Sequence, residues 1–451
     1  MEQRLFDKLL TPVTKTLSRF PRKGRIRFLL VVIIAFTGYK IAGALLSPHE
    51  VRKHAESAAA APEFTTAAAF LSRCQLRLTC CRDTFITGGR TVVACYSLDT
   101  ALQNGIGRMI KQYRPKYGAA VVMEPINGRI LALVSYRNES VPAIGERLYL
   151  RSIFPAASIY KTVTAAAAIE TARYGSQTRV PVTGRNHTLY KYQIKKSAAP
   201  WNERTFEDAF AYSINSAFAR IGMYDVGKKT FERYSRQFGF NAAIPFDLAI
   251  DSSQVTVPDD TSYAMAELAS GFNRGTTLSP IHGALIAAAV SENGRMPVPH
   301  IVDSICCIND GRCLYRQTPT VWKNPIGKNT AHELRNMMNR VATLGTCRKA
   351  FKVLRNCTWS EDLDYGGKTG SLDVDNLGKI DWFIGFAASK NQPERRLAVA
   401  VVTVHGRLWN VHSSYVGAEI FRKYFRPAPG RQLARQNSVP ASGPAAGRPK
   451  G

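Results

Sequence analysis

The sequence lacks the spacings that usually hold a structural metal. None of its nine cysteines forms a Cys-x-x-Cys pair, and none of its eight histidines belongs to a His-Glu-x-x-His run. Zinc-ribbon and zincin readings therefore fall away, and no metal or cofactor is expected. Acidic residues are scarce: 33 Asp and Glu stand against 61 Lys and Arg, a formal net charge of +28. The basic residues are scattered and carry no recognition motif. The excess reads as a solvated face beside anionic lipid or polymer, and no nucleic-acid partner is expected. No internal repeat is visible, which excludes a solenoid. Long apolar runs are also missing, save one near the N-terminus.

That run is an address. Arg4, Lys8, Lys15, Arg19, Arg22, Lys23, Arg25 and Arg27 precede an unbroken apolar stretch from Phe28 to Phe36 that continues less purely to Leu46. Ile26 to Leu46 matches about one helical bilayer span. Positive charge before it predicts an N-inside, C-outside orientation, with Lys40 snorkelling outward. Ala42-Gly43-Ala44 offers the alternative of a cleaved signal peptide. Both readings export residues 48–451 and place the folded part in the periplasm or an equivalent extracytoplasmic space. Export fits the cysteines, Cys74, Cys80, Cys81, Cys95, Cys306, Cys307, Cys313, Cys347 and Cys357, because disulfides persist in oxidising compartments. Cys347 with Cys357 is the simplest pair, and the connectivity stays open.

The expected organisation is a basic cytoplasmic segment (1–25), a transmembrane signal-anchor (26–46), a linker (47–62), a small cysteine-bearing segment (63–113), a large unit (114–426) and a disordered Pro/Gly/Ala-rich tail (427–451). The large unit opens with two β-rich runs, Tyr117–Glu124 and Arg129–Tyr136, joined by Pro-Ile-Asn-Gly, a hairpin signal. Helices are predicted over 156–173, 206–222, 225–238, 262–292 with a break at Gly275–Pro280, and 330–343. Strands Asp381–Ser389 and Leu397–His405 and a helix over 412–424 close the unit. Strands at both ends with helices between predict an α+β class: an antiparallel sheet flanked by helices, with an all-helical lobe.

Three short motifs occur in order: Ser158-Ile159-Tyr160-Lys161, Ser213-Ile214-Asn215 and Lys368-Thr369-Gly370. Ser-x-Asn also occurs at Ser291 and Ser389, but only Ser213 lies between the other two motifs. A serine hydroxyl is a poor nucleophile until a base takes its proton. Residues i and i+3 share a helix face, so Lys161 reaches Ser158, with Pro155 suiting the helix start. A lysine acts as base only if its pKa is lowered, by burial or by another cation, here Lys368. Ser213 suits a proton relay and Asn215 a substrate carbonyl. Lys368 and Thr369 on an edge strand suit a substrate carboxylate, and Gly370 leaves room for an extended peptide beside that strand. The N–H groups of Ser158 and Ser371 would form an oxyanion hole. Glu232 and Asp247 match no pattern for placing a deacylating water. Tyr160 reads as packing or cleft lining, Trp382 and Phe383 as sheet core, and the histidines as surface or core.

These residues resemble the penicillin-binding protein transpeptidase domain of the serine β-lactamase-like superfamily. The likeness extends to Ala119–Pro125, Phe154–Ala157, Ala209–Gly222, Leu278–Pro280, Gly345-Thr346 and Asp381–Phe386, and so covers roughly residues 116–425. It implies acylation of Ser158 by a D-Ala-D-Ala stem peptide of peptidoglycan, transfer to an acceptor amine, and β-lactams as inhibitors. A DD-carboxypeptidase or β-lactamase is the alternative that uses the same acyl-enzyme. A wall-peptide-binding scaffold or β-lactam sensor is the non-catalytic one. No glycosyltransferase domain precedes residue 116, so a separate glycosyltransferase is an expected partner.

Overall fold

The computed structural model describes residues 78–427 apart from 88 and 197–199, together with Ala67 and Leu71. The expected anchor, the linker, Cys74 and nearly all of the tail lie outside the described residues. Among the described residues no helix is long and apolar enough to cross a membrane.

The run of described residues from 78 holds β1 (Arg82–Thr87), β2 (Arg90–Tyr96) and α1 (Thr100–Tyr113), then the hairpin β3 (Tyr117–Met123) and β4 (Ile130–Arg137). A helical stretch follows, with α2 (Lys161–Ala172), α3 (Phe206–Ala211), α4 (Asn215–Ile221), α5 (Lys228–Phe238), α6 (Tyr263–Ser270) and α7 (Pro280–Ser291). Next come β5 (Val302–Cys307), β6 (Cys313–Arg316) and α8 (Lys328–Thr343). The chain ends on β7 (Leu363–Val374), β8 (Gly378–Ser389), β9 (Arg396–His405) and α9 (Ser413–Phe425). Side chains cap the starts of several helices. Asp99 accepts from Leu102 N–H ahead of α1, and Ser279 accepts from His282 N–H ahead of α7, whose first residue is Pro280.

The main sheet has the order β7-β8-β9-β3-β4, antiparallel throughout. Its register aligns Lys368, Ile384, Ala400, Val121 and Leu133 in one row across all five strands. Consecutive strand residues face opposite sides, and the two sides of β8 meet different helices. A Cβ built on Gly283 of α7 would sit 3.1 Å from Ile384 and 3.2 Å from Ala400. One built on Gly417 of α9 would sit 2.3 Å from the Phe383 ring. The sheet is therefore covered by α7 and the helical lobe on the Ile384 side and by α9 on the Phe383 side. Both faces being covered, β3, β8 and β9 read as near-continuous runs of buried Ala, Val, Ile and Phe. Trp382 and Phe383 are buried core, as expected, and Phe383 clusters with Phe351 and Phe421.

A second sheet has the order β1-β2-β5-β6. It joins residues 82–96 to two strands from the middle of the large unit, so the boundary placed at residue 114 is crossed by a sheet. Helix α1 likewise packs on β4 and α9. The suggested Cys347–Cys357 bridge is absent, and both residues are free thiols. Cys347 is fully buried, whereas Cys357 Sγ turns back to Val353 O at 3.5 Å.

Two glycines make the packing testable with one kind of substitution. Gly105 lies within α1 with nothing near its missing Cβ. Gly105→Ala is expected to stabilise the chain by about 0.5–1 kcal/mol through helix propensity and the unfolded-state entropy. Gly417→Ala drives a methyl into Phe383 and is expected to cost about 1–3 kcal/mol. Denaturant unfolding of both variants checks this, and equal effects would contradict the placement of α9.

Candidate active site

Four segments converge on one cleft. The short strand Phe154–Pro155 pairs with Thr277–Leu278, and Ala156 N–H donates to Thr276 O at 2.8 Å. The backbone is thereby pinned just ahead of Ser158. Ala157 then takes φ 47°, a left-handed conformation that a residue with a Cβ adopts only when its surroundings impose it. The turn presents Ser158 to the cleft. Pro155 does not start the helix, contrary to its sequence reading. It lies in the short strand, and Trp382 Nε1 donates to its carbonyl at 2.8 Å. A single 3-10 turn, Ala157–Tyr160, precedes α2.

Ser213 is not inside a helix either. The predicted helix over 206–222 is broken, and Ser213 sits between α3 and α4 with φ 56°. Ile214 N–H to Ala209 O at 2.9 Å and Asn215 N–H to Asn186 O at 2.7 Å hold the break. A continuous helix would not turn the Ser213 hydroxyl toward two lysines at once. The other Ser-x-Asn matches begin at the end of α7 and the end of β8, and neither lines the cleft.

Lys161 Nζ lies 2.8 Å from Ser158 Oγ, 2.6 Å from Asn215 Oδ1, 2.8 Å from Ser270 O and 3.4 Å from Ser213 Oγ. Lys368 Nζ donates to Ser213 Oγ and to Thr369 O, each at 2.9 Å. Both lysines are wholly buried, and neither has a carboxylate partner among the described residues. Burial holds the Lys161 amine well below the ordinary lysine range, with the nearby Lys368 charge as a second cause. Of the two causes, burial is the larger. Lys368 is itself lowered to about 7 by burial. A neutral lysine has two N–H donors and one lone pair. Donation to Asn215 Oδ1 and Ser270 O uses both donors, leaving the lone pair free to accept the Ser158 O–H. That is the arrangement a general base needs.

The strand side of the cleft is β7, the edge of the main sheet. A Cβ on Gly370 would sit 3.0 Å from Ser158 N and 3.1 Å from Ala156 O. The glycine thus lets β7 approach the Ser158 turn itself. Thr369 Oγ1 and Thr346 Oγ1 share a hydrogen bond at 2.6 Å, and Ser371 Oγ donates to Asp381 Oδ1 at 3.1 Å. The cleft encloses about 550 Å³, with Ser158, Ser213, Asn215, Thr369 and Ser371 in its lining. Lys161 and Lys368 lie beneath this lining. The Lys368 ammonium, expected to meet a substrate carboxylate, is instead enclosed against Ser213.

Three residues of the site were given no role by the sequence, although Thr346 and Asp381 lie in segments that carry the resemblance. Thr346 fixes the Thr369 hydroxyl. His187 lines the cleft and hydrogen-bonds the Ser213 backbone; burial lowers its pKa, as do Lys161 and Lys368. Asp381 is buried behind Ser371, and its Oδ2 accepts from Ser413 N–H at 2.6 Å. Burial pushes its carboxyl up to about 7 against those hydrogen bonds. A lone carboxylate in the apolar run from Ile380 to Phe386 was the signal available for it. Tyr160 packs, with its hydroxyl on Ser235 and its ring against Phe231 and Phe240. Asp247 accepts from the N–H groups of Ile301 and Val302, and neither it nor Glu232 lines the cleft.

Comparison with known proteins agrees with this architecture. A family model described as the penicillin binding protein transpeptidase domain matches residues 118–426. The stage V sporulation protein D of Bacillus subtilis is 24% identical over 333 residues, which cover 69% of this chain and 49% of that protein. The peptidoglycan D,D-transpeptidase PbpA of Mycobacterium tuberculosis is 25% identical over 329 residues, covering 65% and 63%. The chain thus spans about half to two thirds of the length of these curated relatives. The solved D,D-transpeptidase domain of a peptidoglycan glycosyltransferase from Eggerthella lenta superposes with a TM-score of 0.59 at 22% identity, covering 73% of this chain and 82% of that one. PBPA from M. tuberculosis gives 0.57 at 21% identity, covering 73% and 80%. At these identities the structural likeness concerns the fold.

Asp381 gives a signed test of the electrostatics. Its pKa is about 7 in the folded chain against about 3.9 in an unfolded one. The protonated carboxyl therefore favours folding at low pH, and that contribution is lost as pH rises from about 4 through about 7. Asp381→Asn is expected to exceed the wild type in stability at pH 8 by on the order of 2 kcal/mol, with the gap closing by pH 4. Denaturant unfolding at both pH values measures it, and a gap that ignores pH would sink the assignment.

Proposed function

Because the chain belongs to the penicillin-binding protein transpeptidase family, we propose that it is a peptidoglycan D,D-transpeptidase acting through a Ser158 acyl-enzyme. The observation that carries this is the Lys161 amine, buried, 2.8 Å from Ser158 Oγ and satisfied on its other side by Asn215 and Ser270. Ser158 Oγ attacks the carbonyl of the penultimate D-Ala of a stem peptide while Lys161 takes its proton. The backbone N–H groups of Ser158 and Ser371 hold the developing oxyanion. As the intermediate collapses, the proton passes through Ser213 to the leaving D-Ala nitrogen, and the acyl group stays on Ser158. Lys368 keeps Ser213 in place from behind. An acceptor amine then attacks the ester, returns its proton along the same path and releases the cross-linked peptide.

The terminal carboxylate of the donor peptide is assigned to the hydroxyls of Thr369 and Thr346, which line the cleft. The donor peptide lies along the open edge of β7 as an added strand. Among the described residues, the carboxylates in the cleft lining are Asp373, which pairs with Lys379 at 3.8 Å, and Asp381, which is engaged by Ser371 and Ser413. That supports amine transfer over fast hydrolysis, since both carboxylates of the lining are already paired. Residues 26–46 are assigned as a membrane anchor that holds the catalytic domain outside the cytoplasm, with a separate glycan polymerase as partner.

Fluorescent penicillin tests the acyl-enzyme. Wild-type protein is expected to carry a covalent label that persists for the length of the experiment, and Ser158→Ala to carry none. A label that turns over in seconds would move the assignment to a β-lactamase. No label on folded wild type would leave a peptide-binding scaffold.

A further inference from the structure

The second sheet carries a cysteine arrangement that the catalytic account does not use. β5 and β6 form an antiparallel hairpin in which Cys306 and Cys313 are direct cross-strand partners, just past a register shift between Ile305 and Cys306. Cys307 N–H donates to Arg312 O at 2.8 Å. That bond lies one residue beyond the pair, so Cys306 and Cys313 face each other at a non-hydrogen-bonded position of the ladder. Such positions bring Cα atoms to about 4.5 Å, inside the window of about 4.4–6.8 Å that a disulfide requires. Both are free thiols in the structure and half-buried on the same face of the sheet, and the Cys306 pKa is raised by burial first and by the neighbouring Cys313 second. Cys313 Sγ also lies 3.1 Å from Tyr315 O.

Four of the other thiols compete poorly. Cys307 is buried on the opposite face, across from Val92. Cys95 shares the face of Cys306 but pairs with Ser304, while Cys306 pairs with Val93. Cys95 is therefore a diagonal neighbour, at about 7–8 Å. Cys347 and Cys357 lie outside this sheet.

We propose that Cys306 and Cys313 form a cross-strand disulfide in the mature protein. One thiolate attacks a disulfide of a dithiol–disulfide oxidant and gives a mixed disulfide. The second thiolate displaces that oxidant, which leaves as its dithiol with the two electrons, while two protons pass to solvent and the oxidant thiolates. The oxidant is the one point that rests on the extracytoplasmic placement proposed above. The bond closes the hairpin whose outer strand, β6, is the edge of the β1-β2-β5-β6 sheet. That sheet ties residues 82–96 to the rest of the chain, so the disulfide locks the free edge of the joint between the N-terminal segment and the catalytic unit.

The test uses full-length protein in membranes from an expressing cell, acid-quenched, alkylated and digested with trypsin without reductant. Cleavage after Arg295, Arg312 and Arg316 leaves Cys306 on peptide 296–312 and Cys313 on peptide 313–316. The expected result is that most of both peptides appear as one linked species that reduction separates, with fragmentation placing the link on Cys306. The link is expected to persist in Cys307→Ser. Recovery of both peptides mainly in alkylated form, or of Cys306 or Cys313 joined to any other cysteine, overturns the proposal. Penicillin labelling of the same membranes is read separately. Labelled Ser158 with alkylated cysteines refutes the disulfide alone, and linked cysteines without label refute the catalytic reading alone.

Discussion

Two lysine side chains stripped of water at the junction of lobe and sheet are the constraint on which the rest of the structure depends. An ammonium group buried without a carboxylate is strongly disfavoured, and the group answers by releasing its proton. Lys161 and Lys368 are both wholly buried, and the partners that receive them are neutral: Ser158, Asn215, Ser213 and two backbone carbonyls. Neutral partners satisfy an amine without drawing it back to its charged form. A carboxylate in place of Asn215 would raise the Lys161 pKa and remove its use as a base. The two left-handed residues, Ala157 and Ser213, are the backbone's contribution. Each brings one hydroxyl to a lysine that a regular helix would aim elsewhere.

The sheet register fixes where that happens. Lys368 stands at the end of a row otherwise made of Ile384, Ala400, Val121 and Leu133. Its side chain therefore leaves the edge strand on the face that meets the helical lobe. Two residues along β8, Trp382 projects on that same face and ties the sheet to Pro155, three residues before the nucleophile Ser158. Asp381 projects to the other face, where Ser413 begins α9. The terminal helix and the cleft are thus joined through one carboxyl group and Ser371. Fold and site share these contacts, so a shift of register in β7 would empty the cleft of Thr369 and Ser371 together.

Much of this was legible in the residues, for identifiable reasons. Apolar periodicity and turn chemistry placed the β3–β4 hairpin, α8, β8, β9 and α9 to within a few residues. The spacing of Ser158 and Lys161 announced their contact, because an i, i+3 pair on a helical turn has little choice. The break at Ser213 was hidden, since Phe206–Gly222 is apolar at helical spacing and nothing local signals a left-handed serine. The roles of His187, Thr346 and Asp381 were hidden because each acts through a partner distant in sequence. The second sheet was hidden for the same reason: β2 pairs with a strand that follows some two hundred residues later, and no local pattern encodes that pairing.

The pH dependence of Ser158 acylation by a slowly reacting penicillin tests the central claim most directly. If burial holds Lys161 as a free amine, the rate rises as its proton leaves and levels off well below the ordinary lysine pKa of about 10.4. A rate that keeps climbing through about pH 10 would mean an ordinarily protonated lysine. It would contradict the account of a desolvated amine as the base.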